Sequence, residues 1–261
     1  MAAPRISVVV PAFNEERQVA ATVARIVGTM ESIDPGFELL IVDNASTDGT
    51  VGELAPALTD PRVRLLRNER NLGKGHSVRR GMLEARGALR LHCDADCAGS
   101  LASLPAMLAD IEHADVVVGS RAIAGAQVGR RQPLRRRIAG HGFIALCRLA
   151  LREPTHDLFC GFKLWRSHAA DATFRRVDLP GWVFDAEALA VARALGFRIV
   201  ERGIVWSDRS GSRLHMRKIF VPVLRELIRA RATVRRIAAE PDGPAPDLPD
   251  PVADIARPAG R

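Results

Sequence analysis

Ile6-Ser7-Val8-Val9-Val10-Pro11-Ala12-Phe13-Asn14-Glu15 and, one helix-length later, Phe37-Glu38-Leu39-Leu40-Ile41-Val42-Asp43-Asn44 are short apolar runs that end in polar residues. Near-continuous apolar runs of this length are what strands buried on both faces require. The reading extends outward from them. Strands are predicted at Ile6–Val10, Phe37–Val42, Val63–Leu66, Ala88–His92 and Asp115–Gly119, and helices at Glu15–Met30, Thr50–Leu58, Gly75–Arg86 and Leu101–Ile111. Strand–helix alternation at this spacing makes an α/β fold, a mostly parallel central sheet with helices on both faces.

The 261 residues, 47% of them hydrophobic, suffice for a large buried core and exclude disorder over the whole chain. No stretch approaches the ~18 uninterrupted apolar residues of a membrane span, and the N-terminus runs straight into a strand, so a soluble or peripheral cytoplasmic protein is expected. Four cysteines, Cys93, Cys97, Cys147 and Cys160, are too few to read as a disulfide framework. The net charge of +8 is unevenly spread: Arg121 to Arg152 holds eight arginines and no acid, Arg209 to Arg236 has Glu226 as its only acid, and the segment from Glu240 onward is −3. Basic patches of this kind suit anionic membranes, phosphate-bearing substrates or nucleic acid. Interleaved aliphatic residues and the absence of Tyr speak against nucleic acid, which stacks on aromatics.

In parallel sheets ligands sit beyond the carboxyl ends of the strands. Here those ends carry Pro11 to Glu15, then Asp43-Asn44-Ala45-Ser46-Thr47-Asp48, then Asp94-Ala95-Asp96, then Gly119-Ser120-Arg121. Asp48 is placed to cap the helix that starts at Thr50, but acids after three strands converge on one cleft. Two hard carboxylates flanking a small residue, Asp94 and Asp96, suit Mg2+ or Mn2+ held together with a substrate diphosphate. A zinc site built on His92, Cys93 and Cys97 lacks a second ligand pair, and strand alternation points Cys93 away from His92 and Asp94. The first strand-to-helix turn has no glycine, so a dinucleotide site fails. Gly73-Lys74-Gly75 is not a Walker loop either, because Asn68 and Gly75 stand where Gly and Ser or Thr are needed.

These residues, in this order, resemble glycosyltransferase family 2 of the GT-A fold, and within it the polyprenyl- and dolichyl-phosphate glucosyl- and mannosyltransferases. The resemblance covers about residues 5–236. It is carried by the strand ends above together with Asn71-Leu72-Gly73-Lys74-Gly75, Asp157-Leu158-Phe159-Cys160-Gly161-Phe162-Lys163, Phe184-Asp185-Ala186-Glu187 and Gly211-Ser212-Arg213-Leu214. The spellings at Lys74–Gly81 and Cys160–Lys163 look more like the glucosyl branch. The resemblance implies a nucleotide-sugar site at Pro11, Glu15, Asp43, Lys74 and Asp94, a metal on Asp94 and Asp96, and phosphate-holding roles for Arg121, Arg209 and Arg213. Asp157 is implied beside the acceptor phosphate, as base or orienting group; its plain structural alternative is a capping acid. Asn44 stands where many members have Asp, and Ala98 where the mannosyl branch often has Gln.

Two Arg-rich segments, Pro133–Arg152 and Phe220–Arg236, space apolar residues at helical intervals, with Pro222 read into a first turn. Such helices lie on anionic membranes, pack on the catalytic domain or mediate a dimer, or are recruited by a membrane-protein partner. The expected organisation is a catalytic domain over residues 1–208, a basic amphipathic segment over 209–239, and a disordered Pro/Asp-rich tail over 240–261. The expected activity is metal-dependent, inverting transfer of a hexose from UDP-glucose or GDP-mannose to a polyprenyl monophosphate at the inner face of the plasma membrane. A family member with a non-lipid acceptor and a non-catalytic nucleotide-sugar-binding subunit are the alternatives.

Overall fold

A computed structural model describes residues 4–129, 134–181, 183–206 and 216–239. The strands are β1 (Ile6–Ala12), β2 (Glu38–Asp43), β3 (Val63–Arg67), β4 (Leu89–Cys93), β5 (Val116–Ser120), β6 (Gln127–Val128), β7 (Phe162–Arg166), β8 (Ile199–Gly203) and β9 (Val205–Trp206). The helices are α1 (Val19–Ile33), α2 (Thr50–Glu53), α3 (Lys74–Glu84), α4 (Leu104–Asp110), α5 (Leu134–Leu151), α6 (Ser167–Phe174), α7 (Phe184–Ala194) and α8 (Met216–Ala239).

Seven strands form one sheet in the order β3-β2-β1-β4-β7-β5-β8. The chain starts in the middle at β1, steps outward to β2 and β3, then returns to place β4 on the other flank of β1. All pairs are parallel except the two that β7 makes with β4 and β5. The strand order therefore reverses between β1 and β4, where a crevice opens beyond their carboxyl ends. Because β7 runs antiparallel, its first residue, Phe162, lies beside Cys93 at the end of β4. The stretch leading into β7 is thereby delivered to the same end of the sheet as the loops after β1, β2, β4 and β5.

Apolar side chains fill both faces. One cluster holds Ile6, Val8, Val10, Ile26 and Met30 under α1; the other joins Val9, Val42 and Trp165 to α3, α6, α7 and α8. The helix expected at Leu101–Ile111 begins at Leu104, after a 3-10 stretch over Ala95–Ser103, and two others are trimmed for physical reasons. The first begins at Val19 rather than Glu15, since Asn14 takes a positive φ of 54° and the following residues form a turn tied to residues 46–50. The second stops at Glu53, and a 3-10 turn at Ala57–Thr59 follows Pro56, which has no N–H for the ladder. Asp48 accepts the Thr50 N–H at 3.0 Å, an Asx turn one residue ahead of Gly49, which is the N-cap of α2 in place of the expected Asp48.

Both Arg-rich segments are helical, and each buries one face. On α8, Val223, Leu227, Ala230 and Ile237 enter the same core cluster as α7, so this helix packs on the catalytic body. It begins at Met216, which corrects the placement of Pro222: that residue lies in the second turn, not the first. Cys93, Cys147 and Cys160 are buried free thiols.

Candidate active site

Two charged centres sit at the ends of β4 and β5, the strands on either side of β7. The first is built on Asp94, the residue after β4. Its Oδ2 accepts a hydrogen bond from Lys74 Nζ at 2.5 Å, and its Oδ1 lies 3.0 Å from Nε2 of His92. Lys74 is the first residue of α3, and His92 reaches the site from within β4. Burial alone would raise the Asp94 pKa, but the positive charge of Lys74 and the bond with His92 hold it well below the ordinary carboxylate range. Asp94 is thus an anion at any physiological pH. Its approach depends on Gly161, whose backbone carbonyl accepts the Asp94 N–H at 2.8 Å; a Cβ at position 161 would stand 1.9 Å from Asp94 Oδ2.

Behind this centre lies a buried ion pair. Lys163, in β7, donates to Asp185 Oδ1 at 2.5 Å and to the Cys160 carbonyl at 2.7 Å. Asp185, in the first turn of α7, also lies 3.8 Å from Lys74 Nζ and 3.9 Å from His92 Nδ1. Lys74, His92, Asp94, Lys163 and Asp185 are therefore one network. In it a buried lysine and a buried aspartate neutralise each other, and paired burial of this kind is what makes such charges tolerable.

The second centre joins β5 to the segment before β7. Asp157 accepts three hydrogen bonds from Arg121: Nε and the backbone N–H to Oδ2 at 2.8 and 2.9 Å, and Nη2 to Oδ1 at 2.9 Å. The guanidinium lies 5.2 Å from the ring centre of Trp206, a cation–π arrangement. Burial is the largest influence on the Asp157 pKa and pushes it up, but the hydrogen bonds and charge of Arg121, with the charge of Lys163, together bring it below its ordinary value. Glu201 in β8 holds this segment: its Oε2 accepts the His156 N–H at 2.9 Å and lies 2.8 Å from His156 Nδ1, while its Oε1 accepts the Asp157 N–H at 3.2 Å.

The remaining predicted residues line the same end of the sheet. Pro11 lies in β1 opposite Val42. Glu15 donates its N–H to Thr50 Oγ1 at 2.8 Å, and its carboxylate takes the Gln18 side chain. Asp43 is fully buried, its carboxylate taking the Ser46 N–H at 3.2 Å and Arg67 Nε at 3.3 Å. Asn44 has an internal task. Its Oδ1 accepts from Leu72 N–H and Asn68 Nδ2, both at 3.0 Å, and its Nδ2 donates to Asn71 at 2.7 Å. It pins the turn that leads into Lys74, a job for which an aspartate has no donor. Arg209 and Arg213 lie outside the described residues.

Asp94 and the exposed Asp96, two residues on, fit a small hard cation. Each Asp94 oxygen keeps a further lone pair after bonding Lys74 or His92, and an ion such as Mg2+ is ordinarily bound through one or two carboxylates with its other positions on phosphate and water. Cys93, by contrast, turns into the apolar core. Sequence reasoning singled out neither Glu201 nor the Lys163–Asp185 pair. A signal existed for the latter, since Lys163 is one of only three lysines and sits in an apolar strand.

The sheet with its cleft at the β1/β4 reversal, and carboxylates and cations after its strands, defines a nucleotide-sugar-transferase type of protein. The chain belongs to glycosyl transferase family 2, whose family model matches residues 7–174, and it is a glycosyltransferase of the GT-A fold. It is 32% identical over 256 residues to a dolichyl-phosphate beta-glucosyltransferase of Trichomonas vaginalis, spanning 92% of this chain and 76% of that one. A dolichyl-phosphate beta-glucosyltransferase of Dictyostelium discoideum is 28% identical, over 87% of this chain and 73% of its own. Among solved structures, the glucosyl-3-phosphoglycerate synthase of Mycobacterium tuberculosis with Mn2+, UDP and phosphoglyceric acid superposes with a TM-score of 0.61, at 20% identity, over 92% of this chain and 80% of that one.

Proposed function

We propose that this glycosyltransferase moves a hexose from a nucleotide sugar, UDP-glucose rather than GDP-mannose, to a polyprenyl monophosphate of the dolichyl type. The observation that carries the reading is the placement of two opposite-charge centres at the ends of the two strands that flank β7: Lys74–Asp94 beyond β4 and Arg121–Asp157 beyond β5, on either side of the segment that enters β7. One suits a leaving diphosphate and the other an incoming phosphate. The relatives named as dolichyl-phosphate glucosyltransferases supply the sugar and acceptor class.

The chemistry follows from charge. The bond from the sugar C1 to the donor diphosphate breaks with its electron pair on the diphosphate, and an acceptor phosphate oxygen bonds to C1 from the opposite face, inverting it. Lys74 stands where negative charge grows on the leaving group. A divalent ion on Asp94 and Asp96 would supply further neutralisation there. The acceptor is already anionic near neutral pH, with a second pKa around 6, so no strong base is needed. Asp157, held below its ordinary pKa by Arg121, is a poor base in any case. Its role is to orient the guanidinium toward the acceptor phosphate. Pro11, Glu15 and Asp43 contribute the nucleoside end of the cleft, and Arg209 and Arg213 add phosphate-holding charge.

The acceptor's lipid tail requires a surface, and α5 and α8 provide one. Leu149 is 79% and Ile228 63% exposed, with Leu146 and Leu224 also uncovered. Arg225, Arg229, Arg235 and Arg236 are exposed beside the α8 residues. An apolar stripe rimmed by arginine suits the headgroup layer of an anionic membrane. No helix among the described residues is long and apolar enough to cross one. On this reading the arginine-rimmed stripe holds the protein peripherally at the inner face of the plasma membrane.

The test is turnover with a short polyprenyl phosphate in detergent and Mn2+, comparing the two donors, with Asp96→Ala as control. Lipid-linked hexose from UDP-glucose, lost in the variant, is the expected outcome. Donor binding without lipid product would move the assignment to a non-lipid acceptor.

A further inference from the structure

The N-terminus of α3, which presents Lys74, does not rest on the sheet alone. Gly75 donates its N–H to the Pro180 carbonyl at 2.8 Å. The stretch that bears Pro180 is in turn clasped by two carboxylates from different helices. Glu187 of α7 accepts the Leu179 N–H at 3.1 Å. Glu226 of α8 accepts the Val183 N–H at 3.3 Å and lies packed against the Gly181 backbone. Position 181 is open to this carboxylate because it is glycine: a Cβ there would meet Glu226 Oε1 at 2.0 Å. Val183 is the residue that leads into α7, whose first turn carries Asp185, 3.8 Å from Lys74. A single side chain of the C-terminal helix thus grips the backbone that supports Lys74 on one side and Asp185 on the other. It is also the only acid in the basic run from Arg209 to Arg236, so its presence there is not explained by the charge of that face.

We propose that Glu226 is a positioning residue for donor binding: by bonding the Val183 N–H and packing against Gly181 it fixes the support beneath Lys74 and Asp185, and so ties the helix that carries the exposed apolar stripe to the diphosphate centre. The inference rests on the reading of Lys74 and Asp94 as the donor-diphosphate site. Glu226 touches no substrate; it acts through the backbone it holds. The same helix has two outputs, an outer face of Leu224 and Ile228 and an inner carboxylate on the donor site, so a shift of α8 is felt at Lys74.

The experiment measures binding of UDP with Mn2+ to the full chain by calorimetry, for wild type, Glu226→Ala, Glu226→Asp and Asp94→Asn, with thermal unfolding of each recorded alongside. Loss of an outer-shell partner of a metal ligand costs about 10- to 100-fold, and Glu226, which acts one step further out through the backbone, is set at the low end of that range. Glu226→Ala is therefore expected to raise the UDP Kd about tenfold and the donor KM with it, with kcat changed less than KM. Glu226→Asp, shorter by one methylene but still charged, gives a smaller rise on a folded protein, and carries the test if the alanine variant does not fold. Wild-type UDP affinity in both folded Glu226 variants, with Asp94→Asn weakened, overturns the tie alone. Wild-type affinity in Asp94→Asn as well removes the donor-site reading beneath it. A fall in kcat and unfolding temperature with an unchanged donor KM marks Glu226 as merely structural and also overturns the proposal.

Discussion

Arg121 gives Asp157 three of its N–H groups, two from the guanidinium and one from its own backbone, and the carboxylate is 3% exposed. A carboxylate so fully donated to is an anchor for the cation. If it orients Arg121 rather than removing a proton, Asp157→Asn lowers kcat about 10- to 100-fold, the range seen when a supporting partner is lost, and leaves the shape of the pH–rate profile intact. Arg121→Lys loses the two-point geometry, strands Asp157 with one weaker partner, and falls by at least as much. Steady-state rates across pH check both. Disappearance of an acidic limb in the Asp157→Asn profile would restore the base role.

Gly161 lets Asp94 reach its place. Gly161→Ala puts a methyl group where Asp94 Oδ2 stands, at 1.9 Å, so carboxylate or backbone must move. A small displacement of a site group is enough to cost about 100-fold in rate. The expected result is a folded protein whose kcat/KM drops by that order and whose Mn2+ requirement shifts to higher concentration. A metal titration of activity, with chelator as the zero point, reads it.

The exposed stripe on α5 and α8 predicts a vesicle-binding defect separable from catalysis. Burying a Leu or Ile side chain is worth roughly 1.5–3 kcal/mol relative to leaving it exposed, which is about tenfold or more per residue. Leu149→Ser with Ile228→Ser is expected to weaken co-sedimentation with phosphatidylglycerol vesicles by at least tenfold, while turnover on a detergent-dispersed acceptor is retained. Equal binding of variant and wild type to such vesicles assigns the stripe another task.

How far the sequence reveals this molecule depends on where charge is buried. The five predicted strands are found within one or two residues, because each is dominated by Val, Leu and Ile and most run straight into a polar strand-end stretch. β7 escaped that reading. Phe162-Lys163-Leu164-Trp165-Arg166 carries two cations, yet all five residues are buried. Lys163 is neutralised by Asp185 from 22 residues away, and Arg166 donates to the carbonyls of Ile111, Glu112 and Ala114. Such partners are set by tertiary contact, invisible to periodicity. The site followed the same division. Asp94, Lys74, Arg121 and Asp157 were visible as residues at strand ends or in a family motif, whereas the pairing of Arg121 with Asp157 depends on the antiparallel entry of β7. Asn44 departs from the family's spelling because it serves the turn before Lys74, which only its three hydrogen bonds reveal.

Glu187 sets a pH dependence opposite in sign to that of Asp94 and Asp157. Burial raises its pKa from 4.5 to about 7, and although the backbone bonds from Leu179 and Asp178 oppose that rise, the negative charges of Asp178 and Glu226 reinforce it. Between about 4.5 and 7 the folded chain then holds a proton there that the unfolded chain has lost, so this group's contribution to stability falls as pH rises through that window. Asp94 and Asp157 are lowered in the fold, and their contribution is instead lost as pH falls below the ordinary carboxylate range. Glu187→Gln keeps an oxygen for the backbone N–H groups and cannot ionise. It is expected to unfold at a higher temperature than wild type at pH 8, to match it near pH 5, and to leave the acid-side loss of stability unchanged. Unfolding temperatures across that range decide the matter: a variant curve that runs parallel to wild type from pH 5 to 8 shows that Glu187 is ionised in the fold throughout.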